Sequence, residues 1–183
     1  MNERLASTLN SLGLLAISFV LLFAFYAQFA DGELPCPLCL LQRAGFVMVG
    51  VGLSLNIILG VAPQYYGLMI AGAVAGGVAA LRQVALHVVP GTGAYGDAFF
   101  GLHFYTWAFL VFALVILGSA VMLMLGGFSS GQRRRLSGLG LAAVVVFMLA
   151  SLGNGISTVA ECGLGLCPDN PVSYEALDSL LGR

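Results

Sequence analysis

Residues 33–61 read ELPCPLCLLQRAGFVMVGVGLSLNIILGV. From about Leu40 to Val61 the only charge is Arg43, and about 20 predominantly apolar residues suffice for a helix to cross the hydrocarbon of a bilayer. The stretch therefore predicts a membrane helix. Its entrance is unusual. Cys36 and Cys39 stand three residues apart just ahead of the apolar run, flanked by Pro35 and Pro37, and the arginine follows four residues after the second thiol.

The rest of the chain repeats the apolar pattern. Spans are predicted at about 9–29, 40–61, 68–89, 105–125 and 136–157, followed by a tail over 158–183. Of the 183 residues, 60% are hydrophobic and 8% charged, against about 25% charged in soluble domains. An isolated apolar run in lipid must satisfy its own backbone hydrogen bonds, so helices are expected. The fold class read from this is all-α: a polytopic membrane helix bundle of five transmembrane helices, a single integral membrane domain over 1–183 with the lipid bilayer as its surroundings. No basic run interleaved with aromatics points to nucleic acid.

The arginines orient the bundle. The chain has no lysine; Arg133, Arg134 and Arg135 lie between the fourth and fifth spans, and Arg4 precedes the first. The positive-inside rule places both on the cytoplasmic side, with the N-terminus inside and the tail outside. Asp31, Glu33, Asp97, Glu161, Asp169, Glu175 and Asp178 then all fall on the outer side. The first span is longer than the roughly 7–15 apolar residues of a signal sequence, and AQFA is not a small-x-small cleavage site, so it is read as retained.

Four cysteines form two close pairs, Cys36/Cys39 after the first span and Cys162/Cys167 after the fifth. An even number of crossings puts both pairs on the outer face, which in a bacterium is oxidising and lets disulfides persist. Zinc remains an alternative for four thiols, although no metal ligand set is otherwise suggested. Pro35 and Pro37 suit a chain entering a helix, whose first-turn N–H groups favour an anion. Cys39 is placed in that turn, and Arg43 one turn deeper on the same face would lower its thiol pKa further. The plainer alternative has Arg43 snorkelling to the headgroups.

The second pair sits in ECGLGLCPDNP, where a glycine-containing loop can bring two Cα atoms to disulfide distance. So short a loop removes little chain entropy, which favours exchange over stapling for what reads as an exposed pair in a flexible tail. NPVSYEALDSLL is predicted as a short helix capped by Asn170 with Pro171 first, its Val172, Leu177, Leu180 and Leu181 lying on the membrane surface. Gly72 and Gly76 form a G-x-x-x-G in the third span and are read as a close helix contact. His87 and His103 read as interfacial residues, His103 within the aromatic belt FFGLHFYTW.

The run Cys36-Pro-Leu-Cys39-Leu-Leu-Gln42-Arg43 resembles the C-x-x-C-x-x-Q-R signature of the disulfide bond formation protein B (DsbB) family, and LRQVALHVVP at 81–90 is similar to the end of that family's third span. The likeness is taken to cover spans one to four. It implies a bacterial inner-membrane enzyme, a quinone-dependent protein-disulfide oxidoreductase. Such an enzyme re-oxidises a periplasmic thioredoxin-like dithiol oxidase (DsbA-like) and passes the electrons to ubiquinone or menaquinone. By the resemblance Cys36, Cys39, Cys162 and Cys167 are the catalytic thiols, Cys39 faces the quinone, and Arg43, Gln42, Arg82 and His87 are candidates for holding it. Members of the family usually have four spans and carry the second pair between the third and fourth. Here that segment has no cysteine, and the pair follows a fifth span. The rival reading is a membrane scaffold with two structural disulfides.

Overall fold

The computed structural model describes residues 2–30, 32, 34–89, 91, 98–126, 128, 136–163, 165–169 and 171–181, the side chains of 180 and 181 excepted. Its elements are α1 (Glu3–Ala30), α2 (Pro37–Ile58), α3 (Pro63–His87), a two-stranded hairpin of β1 (Ala98–Phe99) and β2 (Leu102–His103), α4 (Phe104–Leu125), α5 (Gly138–Cys162) and the short α6 (Glu175–Leu181). The five long helices are each long and apolar enough to cross a membrane, and the chain is an all-α polytopic bundle.

Local sequence explains where the helices begin. Pro37 and Pro63 open α2 and α3 at positions where a missing N–H is harmless. Ser137 caps α5, its hydroxyl accepting the Gly140 N–H at 3.0 Å. Within the bundle α2 packs between α1 and α3, α4 lies against α3, and α5 lies against α1 with a lighter contact to α2. Small residues set these distances. A Cβ on Gly45 would come within 2.8 Å of Gly76 Cα, and one on Gly76 would overlap the Phe112 ring. Phe112 stacks on Phe46 with ring centroids 4.0 Å apart. The G-x-x-x-G of the third span is thus an internal seam shared by α2 and α4. Toward the opposite end of α2 from its thiols, Asn10 donates to Tyr66 Oη at 2.9 Å and accepts from Asn56 at 3.0 Å, tying α1, α2 and α3 together.

Three details differ from expectation. Helix α5 continues to Cys162 instead of ending near Ser157, so residues 158–162 are helix and not tail. The terminal helix starts at Glu175, not at Pro171, because the Leu177 and Asp178 N–H groups both bond to Tyr174 O. The segment 98–103 forms a hairpin, which its aromatic content did not announce. Asp31, Glu33, Asp97, Arg133–Arg135, Asn170 and Arg183 lie outside the described residues, as do the side chains of Leu180 and Leu181.

Candidate redox site

Cys36 is the N-cap of α2, with Pro37 as the first helical residue. Its Sγ accepts the Cys39 N–H at 3.3 Å, as an N-cap side chain does from the third helical residue. The helix-end donor expected at Cys39 therefore goes to Cys36, because the first turn begins one residue after it. Both thiols are unpaired. Gln83, reaching in from α3 and 1% exposed, donates through Nε2 to Cys36 Sγ at 3.4 Å and to Cys39 Sγ at 3.5 Å. Its Oε1 accepts from Gln42 Nε2 at 2.7 Å and lies 3.8 Å from the Cys39 thiol. The Cys36 thiol is lowered to about 7, chiefly by the hydrogen bond from the Cys39 thiol; burial opposes this, and the Cys39 and Leu38 N–H groups and Gln83 add to it.

Arg43 does not snorkel. Its Nη1 donates to Gln28 Oε1 at 2.8 Å and to Asn154 Oδ1 at 3.2 Å, and Nη2 donates to Ala24 O at 3.0 Å. The guanidinium is thus clamped between α1 and α5 by neutral oxygens. Gln28 in turn donates to Ser157 Oγ at 2.8 Å and to Tyr174 Oη at 3.1 Å, fastening the tail to the bundle.

Between α1, α2, α4 and the hairpin lies a cavity of about 300 Å³. Phe19, Phe23, Phe46, Phe99, Phe104 and Trp107 contribute its aromatic walls, while Gln28, Cys39, Gln42, Arg43 and Gln83 supply its polar lining. Phe23 packs against Phe99 and Phe104 at 5.9 and 5.5 Å, and Trp107 Nε1 donates to Phe99 O at 2.9 Å, so the hairpin closes over the aromatic side. Cys39 lines this cavity; Cys36 does not.

Of the four residues expected to hold a quinone, Gln42 and Arg43 line the cavity, and Arg82 and His87 do not. Arg82 is exposed, because one step of a helix rotates it away from the inward-facing Gln83. His87 Nδ1 lies 2.8 Å from Gln83 O, and its ring stacks on Tyr105 at 5.4 Å; Tyr105 lines the cavity and also stacks on His103 at 5.3 Å. His87 is one ring removed from the site. The sequence reading missed Gln83, Gln28 and Asn154. The available signal was an uncharged amide inside an apolar span, which needs a partner to be stable there.

Cys162 and Cys167 form a disulfide with Cα atoms 4.6 Å apart. Cys162, the last residue of α5, is buried at 4% exposure, and Cys167 is half-buried. The expectation of an exposed pair in a flexible tail is corrected for Cys162: the helix runs on to include it and packs it away. The Arg43–Asn154 contact registers α2 against α5. From that contact Cys36 lies seven residues back along α2, and Cys162 eight residues on along α5. At about 1.5 Å per residue both pairs stand roughly 10–12 Å beyond it, at similar heights.

Residues 6–94 match the profile of a family described as disulfide bond formation protein DsbB. The match ends before α4, short of the four spans expected from the motif. Among curated proteins, Disulfide bond formation protein B of Nitrosomonas eutropha is 38% identical over 78 residues, 39% of this chain and 47% of that protein. The protein of the same name from Nitrosomonas europaea is 41% identical over 70 residues, 35% and 42% of the two chains. That of Chromobacterium violaceum is 40% identical over 72 residues, 37% and 43%. The chain thus spans less than half the length of these curated relatives. No solved structure matches it significantly.

Proposed function

The chain belongs, through α1–α3, to the DsbB family, and we propose that it is a membrane thiol oxidase. In this reading it lies in the bacterial inner membrane with its N-terminus cytoplasmic and both cysteine pairs periplasmic. It re-oxidises a DsbA-like periplasmic dithiol oxidase and passes the electrons to a membrane quinone. The observation that carries the reading is the position of Cys39 on the wall of an aromatic cavity whose polar lining includes Gln42 and Arg43. A flat, apolar ring with carbonyl oxygens suits such a slot: aromatic faces to stack on, amide and guanidinium donors for the oxygens. Ubiquinone and menaquinone share that chemistry.

A quinone bound there supplies a two-electron, two-proton acceptor. The protein's part is done by sulfur and by its donors. A thiolate of the reduced partner attacks Cys167, the more accessible sulfur of the tail disulfide, and Cys162 leaves. When the partner's second thiol displaces Cys167, the pair is fully reduced. The tail pair then exchanges with a Cys36–Cys39 disulfide, breaking that bond and re-forming its own. Cys36, whose sulfur caps the helix and accepts the Cys39 N–H and the Gln83 amide, is the sulfur that leaves more readily in this exchange. Re-oxidation of Cys36 and Cys39 to their disulfide gives up two electrons and two protons, and Gln42, Gln83 and Arg43, which line the cavity, would hold and orient a quinone that accepts them.

The test is quinone reduction by the purified protein with a reduced DsbA-like oxidase as donor. Turnover by the wild type, with loss in both Cys39→Ser and Cys162→Ser, establishes the relay. Turnover that survives Cys162→Ser removes the tail pair from it. One observation favours a second reading, a structural disulfide at the tail: Cys162 is buried and its helix is fastened to Gln28 through Ser157. That reading predicts a Cys162–Cys167 bond that reduced partner does not open.

A further inference from the structure

Glu161 is fully buried, at 0% exposure, and neither of its carboxylate oxygens has a hydrogen-bond partner among the described residues. A carboxylate in that state needs a compensating charge, since burying an unpaired ion is far costlier than burying a neutral group. Positions 154, 157 and 161 are spaced three and four apart and share one face of α5. Asn154 and Ser157 on that face belong to the cluster around Arg43 and Gln28. Glu161 follows one turn later, roughly 6 Å along the axis, and it interacts electrostatically with Arg43.

Among the described residues, the other groups around it do not supply that charge. Helix α1 presents the uncharged Gln28, and α2 presents Arg43 with the two thiols beyond it. Among the described residues, the tail packed on the end of α5 carries Asp169, Tyr174, Glu175 and Asp178, none of them cationic at neutral pH. The hydrogen bonds that Arg43 makes to Gln28, Asn154 and Ala24 go to neutral oxygens, which fix its position and leave its charge uncancelled.

We propose that Glu161 is the counter-charge of Arg43, so that its protonation state sets how strongly the guanidinium favours an anion at Cys39 and in the adjoining cavity. Ionised, Glu161 mutes the guanidinium; protonated, it leaves the full positive charge facing the cavity. Glu161 is a positioning group for charge and touches no reacting atom. The inference rests on the reading of Cys39 and its cavity as the reaction site.

The experiment is alkylation of the reduced, full-length Cys36→Ser protein in detergent as a function of pH, read at Cys39 by mass spectrometry, so that Cys39 titrates without a thiolate beside it. Glu161→Gln should move the Cys39 midpoint to lower pH by on the order of one unit, the size of effect a nearby charge has on a thiol. Glu161→Asp should leave it in place, and in an Arg43→Gln background Glu161→Gln should produce no further shift. An unmoved midpoint in folded Glu161→Gln overturns the proposal, as does an equal shift without Arg43. Should Glu161→Gln fail to fold, the wild type still decides. Its infrared redox difference should contain a buried carboxyl band that Glu161→Asp displaces, and absence of such a band overturns the proposal. The alkylation arm uses neither quinone nor partner. A shift without quinone turnover by the wild type therefore sinks the relay alone, and turnover without a shift sinks the role of Glu161 alone.

Discussion

Gln83 holds Cys36 from the neighbouring helix: its Nε2 lies 3.4 Å from Cys36 Sγ while its Oε1 is fixed by Gln42 at 2.7 Å. The Gln42 donor decides which way the amide points, so the NH₂ group faces the sulfurs and not the lipid. Among the influences that lower the Cys36 thiol, the hydrogen bond from Cys39 is the largest and that from Gln83 the smallest.

This ranking gives an ordered prediction. Both Cys39→Ala and Gln83→Leu raise the pH at which Cys36 is half alkylated, and Cys39→Ala raises it more. The reverse order would make Gln83 the larger influence, and no rise in either variant would mean that the helix end alone controls the thiol.

With its thiol lowered from 9.0 to about 7, Cys36 in the reduced protein is half ionised near pH 7. Its folded pKa lies below its unfolded value, so the stabilisation from its ionisation is fully present above about pH 9 and is lost as pH falls through about 7. The reduced wild type should therefore lose thermal stability between pH 9 and pH 6 by more than reduced Cys36→Ser does. Parallel melting curves over that range would contradict it.

The spans, the thiol pair and the inward use of Gln42 and Arg43 were legible because each rests on a local signal: an apolar run, a spacing, a polar residue where lipid should be. The partners were not. Nothing in LRQVALH says that Gln83 faces the thiols while Arg82 faces away, because an apolar helix carries no periodic stripe to fix its rotation. The rotation is set by Gly45, Gly72 and Gly76, whose missing side chains let α2 and α3 approach. Cys162 was misjudged for a related reason. Hydropathy falls at Ser157 and suggests the end of α5 there, yet Asn154, Ser157 and the buried Glu161 continue the helix on the face turned to the Arg43 and Gln28 cluster.

Gly76 should be intolerant of any side chain. A Cβ there overlaps the Phe112 ring, and Phe112 stacks on Phe46 of the cavity wall. Gly76→Val is expected to destabilise the bundle by about 1–3 kcal/mol through overpacking and to slow quinone reduction by displacing Phe46. Gly118→Val is the control, since a Cβ there meets nothing within 4 Å. Melting temperatures of the two variants in one detergent check this; equal values would show that the α2–α3–α4 seam is looser than its glycines imply.

Cys162 is buried and Cys167 half-buried, which in the proposed relay favours Cys167 as the sulfur a partner reaches. A thiolate must approach along the axis of the disulfide, and Cys162 Sγ belongs to a residue that is only 4% exposed at the end of α5. In the proposed relay attack would therefore fall on Cys167, leaving Cys162 to carry the electrons onward to the Cys36–Cys39 pair. In Cys162→Ala the remaining Cys167 should form a long-lived mixed disulfide with a DsbA-like partner. In Cys167→Ala the buried Cys162 should form little, a difference on the order of tenfold in trapped complex if one sulfur is shielded and the other is not. Non-reducing electrophoresis of the two variants after mixing with the oxidised partner reads this directly. Equal trapping at both positions would mean that the end of α5 opens before exchange, and the order of attack would then be set by the partner and not by this fold.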